Sequence, residues 1–331
     1  MTTKSDLKKR VRDRQRKTGE SFTAARVHVM RTRAELLGLP NDVEATTAPI
    51  RADAIVLKVN DQSARVRVLG EQGQVTFRSM DAGNVVPGHI VTLVIDRRWT
   101  WHGDDYASGR IEKPRVDVAK LGLEPLPLEG GELHDLREGR EPYRRPDPYA
   151  PLWRKLTAKP RPSFEFDGIS WGVFPGDDPD ENPTCEAAEL VERGDIEGAR
   201  TLLMDALLRD LRCLDAHAHL GNREFDSAPQ RALVHYELGM RIGELSLPRG
   251  FDGVFEWGLI YNRPFLRCMH GYALCLWRLG RITEAEVLFE RLLSLSPDDG
   301  LGVRFCWSAV RDGLAWEAFE SRDADDGPTG H

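Results

Sequence analysis

Three times in the second half of the chain an alanine is followed one helical turn later by a large apolar residue: Ala199 with Leu203, Ala232 with Tyr236, and Ala285 with Phe289. On a helix these positions are stacked neighbours. A small residue lets two helices approach closely, and the large one fills the groove between them. Gly194 and Gly280 each stand five residues before such an alanine. A glycine there ends one helix in a left-handed conformation and lets a short polar turn start the next. The stretch Leu266–Pro297 is the most complete example, with a first helix, Gly280, a second helix and a closing proline. A chain built on this signal is committed to paired helices from about 184 to 320.

The first two alanines are 33 residues apart and the next two 53, which places an insertion of about 20 residues at SLPRGFDGVFEWGLIYNRP, 246–264. The motif resembles the tetratricopeptide (TPR) repeat, W-x2-L-G-x2-Y followed by A-x3-F and P over about 34 residues. FDGVFEWGLIYNRPFLRCMHGYALCLWRLGR and LSPDDGLGVR further resemble bacterial cytoplasmic TPR-like proteins with WGxxxNRPFLR and NPxDNxGxR segments; Ser296 and Gly300 stand in place of the asparagines of the second. The resemblance implies a binding role, with a protein partner on the helical domain. Phe255, Trp257, Tyr261, Asn262 and Arg263 of the insertion are the candidate partner contacts. The insertion is read either as a loop packed on the repeats or as part of their binding face. The helix after Pro297 would cap the open end of the stack, and SRDADDGPTGH, 321–331, is expected to be disordered.

Ahead of the helices, composition changes abruptly. Alternating Val- and Ile-rich runs at 54–59, 64–70, 74–80 and 89–96, with a last candidate at 106–112, are punctuated by Asn60-Asp61, Gly70–Gly73 and Pro87-Gly88. Five short strands over 50–115 predict a small barrel of OB or SH3-like type. VVPGHIVTLVI is similar to the PGxxVxVxV strand start found in such barrels, RNA-binding ones among them. Barrels of this kind bind single strands by stacking bases on aromatics beside cations. The candidates are Trp99 and Trp101, with Phe77 and Tyr106, and Arg65, Arg67 and Arg78, with Arg97 and Arg98. The alternative is that the aromatics close the core and the arginines solvate it; ten basic against eight acidic residues over 50–115 is a faint positive balance.

The N-terminal 40 residues are strongly cationic. Residues 4–33 hold eleven Lys/Arg against three acids, a net of +8, which leaves −15 for the remainder of a chain of formal net charge −7. They read as two helices broken at Thr18-Gly19, the second ending at Gly38. Lys8, Lys9, Arg10, Arg12, Arg14, Arg16 and Lys17, then Arg26, Arg31 and Arg33, form the cationic face. Arginine forks suit phosphate, so the arm either contacts nucleic acid or pairs with the acidic body. VRDRQRKTGESFTAAR resembles a short N-terminal module of bacterial proteins, VRxRQxxTGExYxxAR, with Phe22 in the tyrosine's place; no function follows from it.

Between barrel and helices, the stretch from Pro114 to Pro183 holds twelve of the twenty prolines. Proline disfavours long helices and central strands, so this connection is expected to lie docked on its neighbours. SFEFDGISWGVFPGD, 163–177, is read as a short hairpin or loop on the helical domain. The five cysteines, odd in number and confined to the helical half, point to reduced thiols and a cytoplasmic setting. No apolar run approaches the ~20 residues of a membrane span, and no apolar segment follows the basic N-terminus. CxxC, HExxH, P-loop, GxGxxG and GxSxG motifs are absent. His217 and His219, two apart on a helix, diverge too far to clamp a metal. No cofactor is expected.

The resulting expectation is a multidomain α+β chain: a basic helical hairpin at 1–40, a five-stranded barrel at 50–115, a Pro-rich connection at 116–183, and a TPR-like α-solenoid at 184–320. The corresponding function is a non-enzymatic adaptor that contacts RNA, the ribosome or another ribonucleoprotein through arm and barrel and a protein through the helices. A pure protein-interaction scaffold with a structural barrel, and an enzyme with a site assembled from scattered residues, are the alternatives.

Overall fold

The computed structural model of the chain describes residues 11–14, 16–18, 45–137, 147–178 and 180–325. The arm cations Lys8, Lys9, Arg10, Arg26 and Arg31, and the second arm helix, lie outside the described residues. Residues 11–14 and 16–18 are helical, with Val11 buried and Arg12 and Arg16 exposed.

Five strands close into a barrel: β1 (Ala45–Asn60), β2 (Ser63–Val68), β3 (Val75–Arg78), β4 (Ile90–Trp101) and β5 (Asp104–Arg115). Their order around it is β1-β2-β3-β5-β4, with β4 returning to pair antiparallel with β1. The β3–β5 pair is parallel and the others are antiparallel. Period-two alternation sends Val56, Ala64, Val66, Phe77, Leu93 and Ala107 inward, all essentially without exposure. Phe77 is therefore barrel core, not a stacking platform. The β4–β5 connection is a two-residue turn in which His102 and Gly103 both take positive φ, 51° and 86°, as a type I′ hairpin requires.

The helical half runs in antiparallel pairs: α2 (Pro183–Glu192) with α3 (Ile196–Arg209), α4 (Leu214–Glu224) with α5 (Pro229–Glu244), and α6 (Arg263–Arg278) with α7 (Ile282–Leu295). They follow a short α1 (Ala150–Leu156) and are followed by α8 (Val303–Arg311) and α9 (Trp316–Asp325). Ala199, Ala232 and Ala285 are fully buried on α3, α5 and α7, and their partners Leu203, Tyr236 and Phe289 nearly so. Gly194 and Gly280 take φ 82° and 76°, the left-handed helix stop. Asp195 then accepts a hydrogen bond from the Gly198 amide at 2.9 Å and caps α3. Helix α9 continues through Asp325, past Ser321, where the sequence places the start of a disordered tail. Among the described residues no helix is long and apolar enough to cross a membrane.

The connection lies against both halves. Its strand β7 (Arg161–Phe166) pairs antiparallel with β6 (Leu128–His134), a partner outside the local hairpin expected from 163–177. Val254 of the insertion then bridges to Ser163 on the other edge, with Phe164 N–H donating to Val254 O at 2.9 Å and Val254 N–H to Pro162 O at 2.9 Å. Ahead of β7, the buried Tyr149 hydroxyl donates to Pro297 O at 3.3 Å. Barrel and helices share one continuous apolar core. Across their junction Lys58 pairs with Asp205, and Arg200 donates to Val59 O at 3.4 Å.

Candidate nucleic-acid interface

The outer surface of the barrel carries two cross-strand rows. Strand register places Arg65 beside Thr76, Thr76 beside Tyr106, and Tyr106 beside Trp99. One step along, Ser63, Arg78, Ser108 and Arg97 are neighbours in the same strand order. The register shift between Ile95 and Arg97 makes this possible, because it turns Arg97, Trp99 and Trp101 outward after the inward Leu93 and Ile95. Gly109 sits opposite the shift, where a Cβ would collide with the Val94 carbonyl.

Trp99 and Tyr106 stack with ring centroids 5.6 Å apart and planes 11° from parallel. The Arg78 guanidinium lies 5.5 Å from each ring, within cation–π range. Trp101, 42% exposed, stands at the rim with the His102 ring edge-on at 4.6 Å. Arg65 is held by Gln74 at 3.1 Å, Thr76 at 2.9 Å and, more loosely, Asp104 at 3.7 Å. Arg67 is exposed and donates to Leu121 O at 3.0 Å, so it follows the outer face toward the helical half. Arg98 is spent on Glu71 in a two-bond fork at 2.8 and 2.9 Å; this hydrogen bonding holds the carboxyl below its ordinary value and raises the guanidinium. A groove of about 520 Å³ opens beside Arg78, lined by Gln62, Ser63, Ser79, Met80, Asp96, Ser108 and Gly109. Met80, 81% exposed, stands on its edge; no sequence motif marks this groove.

Of the arm cations, Arg12 and Arg16 are exposed and Arg14 half-buried, with Arg16 4.0 Å from Asp13.

The five partner-contact candidates separate into two groups. Phe255 has no exposure and lies among Phe166 at 4.9 Å, Phe251 at 5.4 Å and Phe265 at 5.5 Å. Asn262 is also fully buried. Its amide donates to Phe164 O at 2.9 Å and Glu256 O at 3.2 Å, and its oxygen accepts from Phe166 N–H at 3.1 Å. Neither offers surface to a partner: both hold the insertion onto β7, and their role is corrected accordingly. Trp257, Tyr261 and Arg263 are half-buried at the surface. The Trp257 ring carries the Arg263 and Arg267 guanidinia at 5.1 and 5.6 Å, and Tyr261 meets Trp171 at 5.9 Å.

His217 points into the helical core, whereas His219 pairs with Asp215 at 3.4 Å. Among the described residues no group of three or more His, Cys, Asp or Glu side chains is placed to hold a metal ion. Comparison with protein-family models and with curated proteins finds no match to this chain.

Proposed function

We propose that this chain is a non-enzymatic adaptor that binds single-stranded nucleic acid, RNA or a ribonucleoprotein in particular, on the outer face of its barrel, and a protein on its helical half. The observation that carries the reading is the Arg78–Trp99–Tyr106 stack, flanked by Arg65, Arg97 and Trp101. Aromatic faces accept any base, and an adjacent guanidinium supplies cation–π attraction and a phosphate partner. The strand order with its parallel β3–β5 pair supports an OB-type barrel, whose β2–β3 face and β1–β2 and β4–β5 loops are the ones suited to oligonucleotides. The paired helices with buried Ala and large apolar partners support a TPR-like stack. Because acids neutralise several barrel arginines, stacking supplies more of the affinity than charge does, and the N-terminal arm adds the salt-dependent part.

The test is fluorescence anisotropy of the full chain with short labelled RNA and DNA single strands at low and moderate salt. The double substitution Trp99→Ala, Arg78→Ala is expected to weaken binding about tenfold to more than a hundredfold, from ~1–3 kcal/mol per stacked base. Arg12→Gln, Arg14→Gln and Arg16→Gln together are expected to flatten the salt dependence by about 2 in log–log slope, near 0.7 per lost phosphate contact. No binding by the intact chain at low salt would sink the nucleic-acid reading and leave a protein scaffold.

A further inference from the structure

Three histidines are buried where the barrel meets the helices. His89 ends the β3–β4 loop, 6% exposed; His217 on α4 and His235 on α5 have no exposure. The loop is pressed on α5: a Cβ on Gly88 would stand 3.0 Å from the Leu238 side chain. Among the described residues their hydrogen bonding is incomplete. His217 Nε2 meets Leu211 O at 3.2 Å, but its Nδ1 has no partner. Neither ring nitrogen of His235 has one. His89 Nδ1 accepts from Val86 N–H at 3.2 Å. The His217 and His235 rings lie 6.1 Å apart.

The charged neighbours of His235 oppose a positive charge on it, and only the Leu211 carbonyl on His217 favours one. His235 faces His217 from α4, His89 from the barrel, Arg200 from α3 and Arg231 of its own helix. Arg231 is itself paired with Glu224 of α4 at 2.9 Å. From α6 the Cys268 thiol meets Gly239 beside His217, and burial holds that thiol protonated. A second proton on His217 or His235 adds a buried N–H with no acceptor among the described residues. Water can reach it when the barrel loop lifts from α5.

We propose that the His89–His235–His217 cluster is a proton-operated latch: acidification releases the barrel from the helical half while each part stays folded. The direction follows from burial, which lowers the basicity of all three rings, His89 and His217 to about 4. A solvated histidine titrates near 6.5, so the open form binds more protons than the closed one. The latch is at full strength above about pH 6.5, weakens as pH falls through that value and stops weakening below about pH 4. For His89 alone the opening equilibrium rises about fourfold at pH 6 and about thirtyfold at pH 5. His235, charged alongside it, adds to the same direction.

The experiment is small-angle scattering and far-ultraviolet circular dichroism on the full chain across a pH series from about 7.5 to about 5. The expected result is a reversible increase in radius of gyration below about pH 6.5 with the helical signal unchanged. His89→Gln is expected to move the midpoint lower, and His235→Leu to keep the chain compact at the acid end. Should His235→Leu fail to fold, as its dichroism at neutral pH would report, His89→Gln on the barrel loop decides alone. The proposal is overturned if the intact chain keeps its radius at the acid end, if radius and helical signal change in one step, or if His89→Gln opens where the unsubstituted chain does.

Discussion

Gly271→Ala is expected to lower the urea midpoint of unfolding by the equivalent of about 2–3 kcal/mol, the cost of an overpacked core. Inside an exposed helix the same change stabilises by ~1 kcal/mol, because alanine restricts the unfolded chain. Tyr236 reverses the sign. Its ring lies between Gly221 on α4 and Gly271 on α6, and a Cβ at either glycine would stand under 3.0 Å from three ring carbons. The ring cannot slide away, because its hydroxyl is held at 2.6 Å by Asn222 Oδ1 and its face is closed by the neighbouring helices. The helices would have to part along their whole contact. The check is a double-mutant cycle: in a Tyr236→Val background, Gly271→Ala fills space instead of colliding and is expected to be neutral or stabilising. Equal losses in both backgrounds would show that the ring is not the obstacle.

That wedge shows which parts of the fold are legible in the sequence. Ala232 and Tyr236 are one turn apart, so their pairing on α5 can be read along the chain. What Tyr236 packs against cannot, since Gly221 and Gly271 are 50 residues apart and look like weak points in two helices. The barrel divides the same way. Alternation marks its five strands, yet its closure joins β1 to β4 across two intervening strands, and no local signal carries that pairing. Strand β6 had no apolar alternation to find: LEGGELH is exposed along nearly its whole length and is held by backbone pairing to β7. Pro49 looks like a boundary, but β1 passes through it within the irregular stretch between Ala45 and Ile50, where its missing N–H costs no ladder bond.

The candidate interface was legible as a list of residues and not as an arrangement. Arg78, Trp99 and Tyr106 come from three strands, and only the parallel β3–β5 pairing sets Arg78 on the row beside the one that Trp99 and Tyr106 share. Phe77 was separable from them by parity, since Thr76 and Arg78 on either side face outward. The insertion misleads for a physical reason. A loop rich in Gly and aromatics resembles a binding surface, but Phe255 and Asn262 use those properties inward, against β7. The missing information was that the connection brings a strand for the insertion to close over, and the residue that ties the two together lies in neither motif.

That residue is Arg161, and Arg161→Met is expected to cost about 3–5 kcal/mol, the range for removing one partner from a buried charged network. Its side chain is only 6% exposed. Nε donates to Asp252 O at 3.1 Å, Nη2 to Gly253 O at 2.9 Å and Nη1 to Ser294 O at 2.7 Å. Burial lowers its proton affinity, and Asp252, 3.4 Å away, opposes that shift. The three carbonyls come from the insertion and from the last turn of α7, whose terminal carbonyls have no partner within the helix. Methionine fills much of the volume and supplies no donor, so three buried acceptors lose their bonds together. Arg161→Lys is expected to recover part of the loss, because a single ammonium keeps the charge without the planar fork that reaches three carbonyls. Urea unfolding measures the magnitude. Amide exchange locates it: the Val254 and Phe164 amides, which bridge the insertion to β7, are expected to lose protection in Arg161→Met before the barrel amides do. A loss under about 1 kcal/mol, the worth of one ordinary hydrogen bond, would mean that water replaces the guanidinium and that the insertion is held by its aromatic packing alone.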